Sequence, residues 1–149
     1  MRQPKQQAQD GPIGTLIDYH LAIGFEKIVI YDNSDEFELK PWFNKRNSTS
    51  TGSAATVEIE HFPGAGKQMA AAAHCGRRGI SQSWIAFFDL DEFLVLKHHR
   101  YISELMKTLS DDVGGLAVNW YLFDYNDQIE YRDLPLTKRF TRRDPSSEQ

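Results

Sequence analysis

Two aspartates with a single residue between them, Asp89 and Asp91, close an otherwise apolar run, WIAFFDLDEF, at residues 84–93. Carboxylates are seldom taken out of water without a partner, because an unpaired buried charge is costly. Two of them a few ångströms apart also repel and raise each other's proton affinity unless a cation relieves them. Mg²⁺ and Mn²⁺, hard ions that prefer oxygen ligands, meet that need and keep positions open for phosphate oxygens. An arbitrary Asp-x-Asp is more often a solvated strand end. Here the five apolar residues before it tip the balance toward a metal or nucleotide site. Glu92 has three open roles: capping the turn, pairing with a basic side chain, or joining the metal shell. Asp32-Asn33 ends an earlier apolar run in the same way. Taken alone, its residue types favour a simple Asx-type turn over a ligand contact.

These acids need elements to hold them, and the sequence alternates helical and strand patterns. Leu16, Tyr19, His20 and Ile23 fall at helical spacing, with Thr15 as the expected N-cap and Gly24 after the last turn. Residues 28–31 read as a β-rich run ending at Asp32. A helical turn is expected around Trp42 and Phe43, and residues 48–56 form a polar loop. Residues 57–62 alternate as a second strand, and the alanine-rich 67–75 favours helix. Residues 83–90 read as a third strand, apolar on both faces and central in a mainly parallel sheet. That strand would place Ile85, Phe87, Asp89 and Asp91 on one side. Ile102, Leu105, Met106 and Leu109 mark another helix, and 116–123 a further strand. The fold class expected is α/β, a mainly parallel sheet flanked by helices. Ligands in such sheets bind beyond the carboxyl ends of the strands, where Asp89 and Asp91 would lie.

The bulk properties narrow the function. A chain of 149 residues is one ordinary domain, and its net charge of −4 argues against nucleic acid as a partner. Cys75 is the only cysteine, so no internal disulfide forms. No apolar run approaches the roughly 20 residues that span a bilayer. The opening MRQPKQQAQDGP lacks the apolar core of a signal peptide. A soluble chain with disordered tails at 1–14 and 143–149 is expected. Several residues have plain readings: His20 as a packed, hydrogen-bonded histidine, Cys75 as a small buried residue, and His98 and His99 as surface residues. Gly64-x-Gly66-Lys67 only faintly echoes a phosphate loop, because the Walker spacing is absent. Trp120 and Tyr121 are more often core than sugar platform.

Five fragments taken in order, YHLAIGFEKIVIYDN, KQMAAAAHC, WIAFFDLDEF, GGLAVNW and KRF, together resemble the glycosyltransferase family 92 (DUF23) group and its family 2-like relatives. The resemblance runs from about residue 16 to 142 and implies a GT-A fold, partial here, over 15–142. It also implies transfer of a sugar from a nucleotide-diphosphate donor to a glycan or other hydroxyl acceptor. By position, Asp89 and Asp91 would hold Mn²⁺ (or Mg²⁺) and, through it, the donor diphosphate. Asp32 and Asn33 would lie beside the donor nucleoside, Gln68 near the same pocket, and Trp120 on the acceptor side. Two features depart from the pattern. No strand ending in Asn-Glu precedes the Tyr-His helix, and Phe123-Asp124 stands where the family often has Phe-Gly. A longer parent chain would, by the same resemblance, reside on the membranes of the secretory pathway. The alternatives are a non-catalytic remnant or binding module of that fold and, further off, a haloacid dehalogenase-like phosphatase. The phosphatase would use Asp89 as nucleophile and Asp91 as acid/base, but Glu92-Phe93 follows where that group has a small pair.

Overall fold

The computed structural model describes residues 11–49, 56–78, 82–125, 127, 130, 132 and 134–143. The chain divides into two compact units. One is Phe25–Asp89; the other comprises the described residues up to Gly24 and from Leu90 onward. Among the described residues, no helix is long and apolar enough to cross a membrane.

In the unit Phe25–Asp89, strand β1 (Lys27–Asp32) pairs in parallel with β2 (Thr56–His61), in register from Lys27↔Thr56 to Asp32↔His61. Its β-branched residues Ile28, Val29 and Ile30 suit a pleated surface. A parallel pair cannot close through a tight turn, so the chain crosses over, and helix α2 (Lys40–Thr49) lies on that crossover. Helix α3 (Gln68–Arg77) follows β2. Ile30 and Cys75 are buried, as is Arg46, which lies over the Trp42 ring at 5.8 Å. The alternation of β2 puts Glu58 and Glu60 on one side, where Arg78 meets both at 3.1 and 2.7 Å and Lys27 meets Glu58 at 2.7 Å. The neighbouring cations, Lys27 first, hold the Glu58 carboxyl below its ordinary range.

Both strands lie within one residue of their expected bounds. The expected third strand at 83–90 is not formed: residues 84–89 have no ladder partner, and the chain turns at Leu90 and Asp91. A strand exists only as part of a ladder, and among the described residues β1 and β2 pair with each other alone. The apolar run stays largely exposed at Trp84, Ile85, Phe87 and Leu90, while Phe88 meets Phe25 edge-on at 6.0 Å. The alternation expected to carry Asp89 and Asp91 on one face therefore stops at the turn.

In the other unit, helix α1 (Gly11–Ala22) begins earlier than Thr15. Gly11 enters with φ +65°, a conformation glycine adopts without strain, and Pro12 follows in the first turn, where its missing N–H is no loss. Thr15 is therefore inside the helix, and its hydroxyl donates back to the Gly11 carbonyl at 3.1 Å instead of capping. Residues 11–14, expected in the tail, are helical, and Gly14 is buried. Leu16, Ile17 and His20 form the buried stripe, with Ile17 fully enclosed. Gly24, φ +101°, ends the helix as expected of a C-terminal glycine.

Helix α4 is a short turn, Ile102–Met106, docked by Ile102 N–H donating to the Ile23 carbonyl at 2.8 Å. It stops short of Leu109 because Thr108 turns its hydroxyl back onto the Leu105 carbonyl at 2.7 Å, and the bonds from 108 and 109 tighten to three-residue spacing. The strand expected at 116–123 is also absent. Only Phe123 finds a bridge, antiparallel to Arg143, and Leu116, Val118, Trp120 and Leu122 stay exposed. Arg143, expected in the tail, is thus engaged; 144–149 lie outside the described residues. Helix α5 (Leu136–Arg139) covers part of the KRF segment.

His20 supplies a pH dependence. Its pKa is held below the ordinary imidazole value by burial, against a smaller opposing effect of its bond to Leu16. A histidine kept neutral in the fold protonates first in the unfolded chain. Its contribution is therefore complete above about pH 6.5 and falls as pH drops through that value toward the folded pKa. Melting temperature should decline between pH 7.5 and 5, and decline less steeply in His20→Gln; equal slopes would remove His20 from the account.

Candidate functional site

Within Phe25–Asp89, the loop after β1 is held by one carboxylate. Asp32 ends the strand and is 4% exposed. Its Oδ1 accepts from the Ser34 N–H at 3.0 Å and the Ser34 hydroxyl at 2.6 Å, and Oδ2 accepts from the Leu39 N–H at 2.9 Å. Ser34 Oγ accepts in turn from the Glu38 N–H at 2.8 Å. Burial raises the affinity of Asp32 for a proton, but the three donors and the nearby His61 outweigh it, so its pKa lies below the ordinary carboxyl value. The plain turn that the residue types favour is present, and it extends into a fastener for all of 33–39.

The His61 ring stacks on Phe37 at 4.8 Å and donates from Nε2 to the Ser34 carbonyl at 2.9 Å. Phe37 has φ +56°, an unusual conformation for a bulky residue, which the stack and the Asp32 bonds offset. The loop so fixed lines a cleft of about 510 Å³ with Asn33, Ser34, Asp35, Glu36, Glu38, Gly64 and Ala65. The Gly64 N–H donates to the Asn33 carbonyl at 3.1 Å and joins the two walls. Gly64 has φ +109°, so the backbone favours glycine there, whereas an added Cβ would meet only the flexible end of Lys67.

Three residues beyond Ala65, Gln68 opens α3 and donates from Nε2 to Asp89 Oδ1 at 3.0 Å. Two of the residues singled out by sequence, 21 apart, are thus in direct contact. Asn33 lines the cleft, and Asp32 shapes it from beneath. Asp91 and Glu92 belong to the other unit, as does Trp120, which is 72% exposed. Among the described residues, no group of three or more His, Cys, Asp or Glu gathers to hold a metal. Asp89 and Asp91, the two carboxylates that the sequence reading assigns to a cation, are both exposed. Carboxylate oxygens are hard donors of the kind that suit Mg²⁺ and Mn²⁺, which complete their shells with ligand and water oxygens. Sequence reasoning missed Ser34, Asp35, Glu36 and Glu38. Their signal was legible as a run of acids and turn formers directly after a strand.

The family model for Glycosyltransferase family 92 matches residues 12–133. The chain belongs to glycosyltransferase family 92. It is similar to a glycosyltransferase family 92 protein of Ricinus communis, 27% identical over 119 residues, covering 79% of this chain and 18% of that protein. It is also similar to one from Oryza sativa subsp. japonica, 30% identical over 130 residues, covering 85% of this chain and 22% of that protein. The chain thus spans about a fifth of the length of these relatives. No solved structure matches it. Every residue that the sequence reading singles out for the site, from Asp32 to Trp120, falls within the matched span.

Proposed function

We propose that this chain is the donor-binding part of a GT-A type glycosyltransferase, moving a sugar from a nucleotide-diphosphate donor to a glycan or other hydroxyl acceptor. The observation that most supports this reading is the Gln68–Asp89 contact, three residues along the chain from the wall of the Asn33 cleft. The cleft's carboxylates, Asp35, Glu36 and Glu38, suit hydroxyl donors and repel phosphate. The ribose end of the donor belongs there, and its diphosphate at Asp89 and Asp91. Asp32 acts on the nucleoside by setting the course of 33–39, and Asn33 lines the pocket. A divalent cation bound by Asp89 and Asp91 would supply charge neutralisation for the leaving diphosphate. Gln68 holds one oxygen of Asp89, which limits the orientations that carboxylate can take. Trp120, a large exposed ring, is assigned to the acceptor side, where flat apolar faces stack on sugars. Family membership favours this reading over the phosphatase.

Thermal-shift titration with a panel of UDP- and GDP-sugars, with and without Mn²⁺, tests it. Stabilisation that needs both donor and metal is expected. Silence across the panel would instead favour a non-catalytic remnant.

A further inference from the structure

Leu94 lies three residues past Asp91, and two consecutive side chains of α1 hold both of its backbone polar groups. The Tyr19 hydroxyl donates to the Leu94 carbonyl at 2.8 Å, and the Leu94 N–H donates to His20 Nε2 at 3.4 Å. The tautomer follows from chemistry. His20 Nδ1 lies 3.0 Å from the Leu16 carbonyl, which can only accept, so Nδ1 carries the proton and Nε2 presents its lone pair. The rings reinforce the bonds: Phe93 meets Tyr19 edge-on at 5.3 Å and stacks on His20 at 6.2 Å with 14° between planes. Leu94 is 9% exposed, whereas Leu90, Asp91 and Val95 around it are exposed.

A helix cannot extend a sheet, because its own N–H and C=O groups are consumed along the axis. Here adjacent side chains reproduce both halves of a ladder pairing and grip one residue of an otherwise unladdered segment. We infer that Tyr19 and His20 are positioning residues that fix the backbone at Leu94 and thereby restrict where Asp91 stands toward the cation. The inference rests on the donor-site reading above. Neither side chain touches the reacting atoms; their effect passes through Phe93 and Leu94. Partners that orient a metal ligand from outside its coordination shell typically change metal affinity by roughly 10–100-fold.

The test uses the whole chain with Tyr19→Phe, His20→Gln and His20→Ala, Mn²⁺ as probe at a saturating responsive UDP- or GDP-sugar, and amide exchange at Leu94. Tyr19→Phe and His20→Ala should weaken apparent Mn²⁺ affinity roughly tenfold and speed Leu94 exchange, with amides of β1 unchanged. His20→Gln, which keeps an acceptor within reach of the Leu94 N–H, should recover much of both. Unchanged Mn²⁺ affinity in a folded Tyr19→Phe chain, where the wild type responds to the metal, overturns this inference and leaves the donor site standing. A wild type deaf to donor and Mn²⁺ overturns the donor site and the metal role of the clamp together. In that case faster Leu94 exchange in Tyr19→Phe would show only a structural fastening.

Discussion

Asp32→Ala should lower stability by about 3 kcal/mol, because it strips three donors of a charged acceptor in a site with little water. For a chain of this length that corresponds to a fall in melting temperature of roughly 6–12 °C. The Ser34 and Leu39 N–H groups would lose the carboxylate they donate to, and the Ser34 hydroxyl, freed from Oδ1, would no longer be held for Glu38. Asp32→Asn keeps one oxygen and should cost less. The acid side of the stability curve provides a second measure. The Asp32 pKa is depressed in the fold, so its contribution is present above the unfolded value of about 3.9 and is lost as pH falls through the lower folded value. Stability of Asp32→Ala should therefore depend less on pH between about 4 and 2 than that of the parent. Equal melting temperatures, or equal acid slopes, would show that the bonds around Asp32 are replaceable by water. Donor stabilisation should fall with the loop, which makes Asp32 a poor residue for isolating ligand contacts and Asn33 a better one.

The local elements were legible where local chemistry decides them. β-branched spacing gave β1, alternation gave β2, alanine content gave α3, and the helical spacing of Leu16, Tyr19, His20 and Ile23 gave α1. The run 83–90, expected as a strand, forms none for a physical reason. Apolar residues in sequence state a need for burial, but whether a strand forms depends on a free ladder edge, which no residue in the run encodes. The run 116–123 fails the same way, apart from the bridge at Phe123. Thr15 is not the cap because Pro12, which fits the first turn as readily as a turn outside it, lies inside the helix. In the site, Asp89 and Gln68 could be singled out separately, since each has a telling residue type and place. Their contact could not, because it joins positions 21 apart through the path of α3. The reach of Asp32 to Leu39, seven residues on, is likewise a property of the folded loop. The type of His20 suggested a packed ring, and the structure shows one, yet its partner Leu94 lies 74 residues away.

Asp89→Ala and Asp91→Ala should separate binding from folding most sharply. Both carboxylates are exposed, and substitutions at such positions usually change stability by no more than about 0.5 kcal/mol. The ligand-free variants should therefore melt within roughly 1–2 °C of the parent. The effect should appear when donor and Mn²⁺ are added. A ligand at a hundred times its Kd stabilises by about 2.7 kcal/mol, which here is a rise of roughly 5–10 °C. Either substitution should abolish that rise, because one remaining carboxylate cannot both anchor the cation and offset the diphosphate charge. Gln68→Ala offers an internal comparison. It leaves both carboxylates in place but releases Asp89 Oδ1, so the rise should shrink and the Mn²⁺ needed for half of it should increase. Should Asp89→Ala and Asp91→Ala keep the full metal-dependent rise while Asn33→Ala loses it, the cation would be bound elsewhere and the diphosphate with it. Should the ligand-free variants lose cooperative melting, the acids would instead be part of the fold's own support.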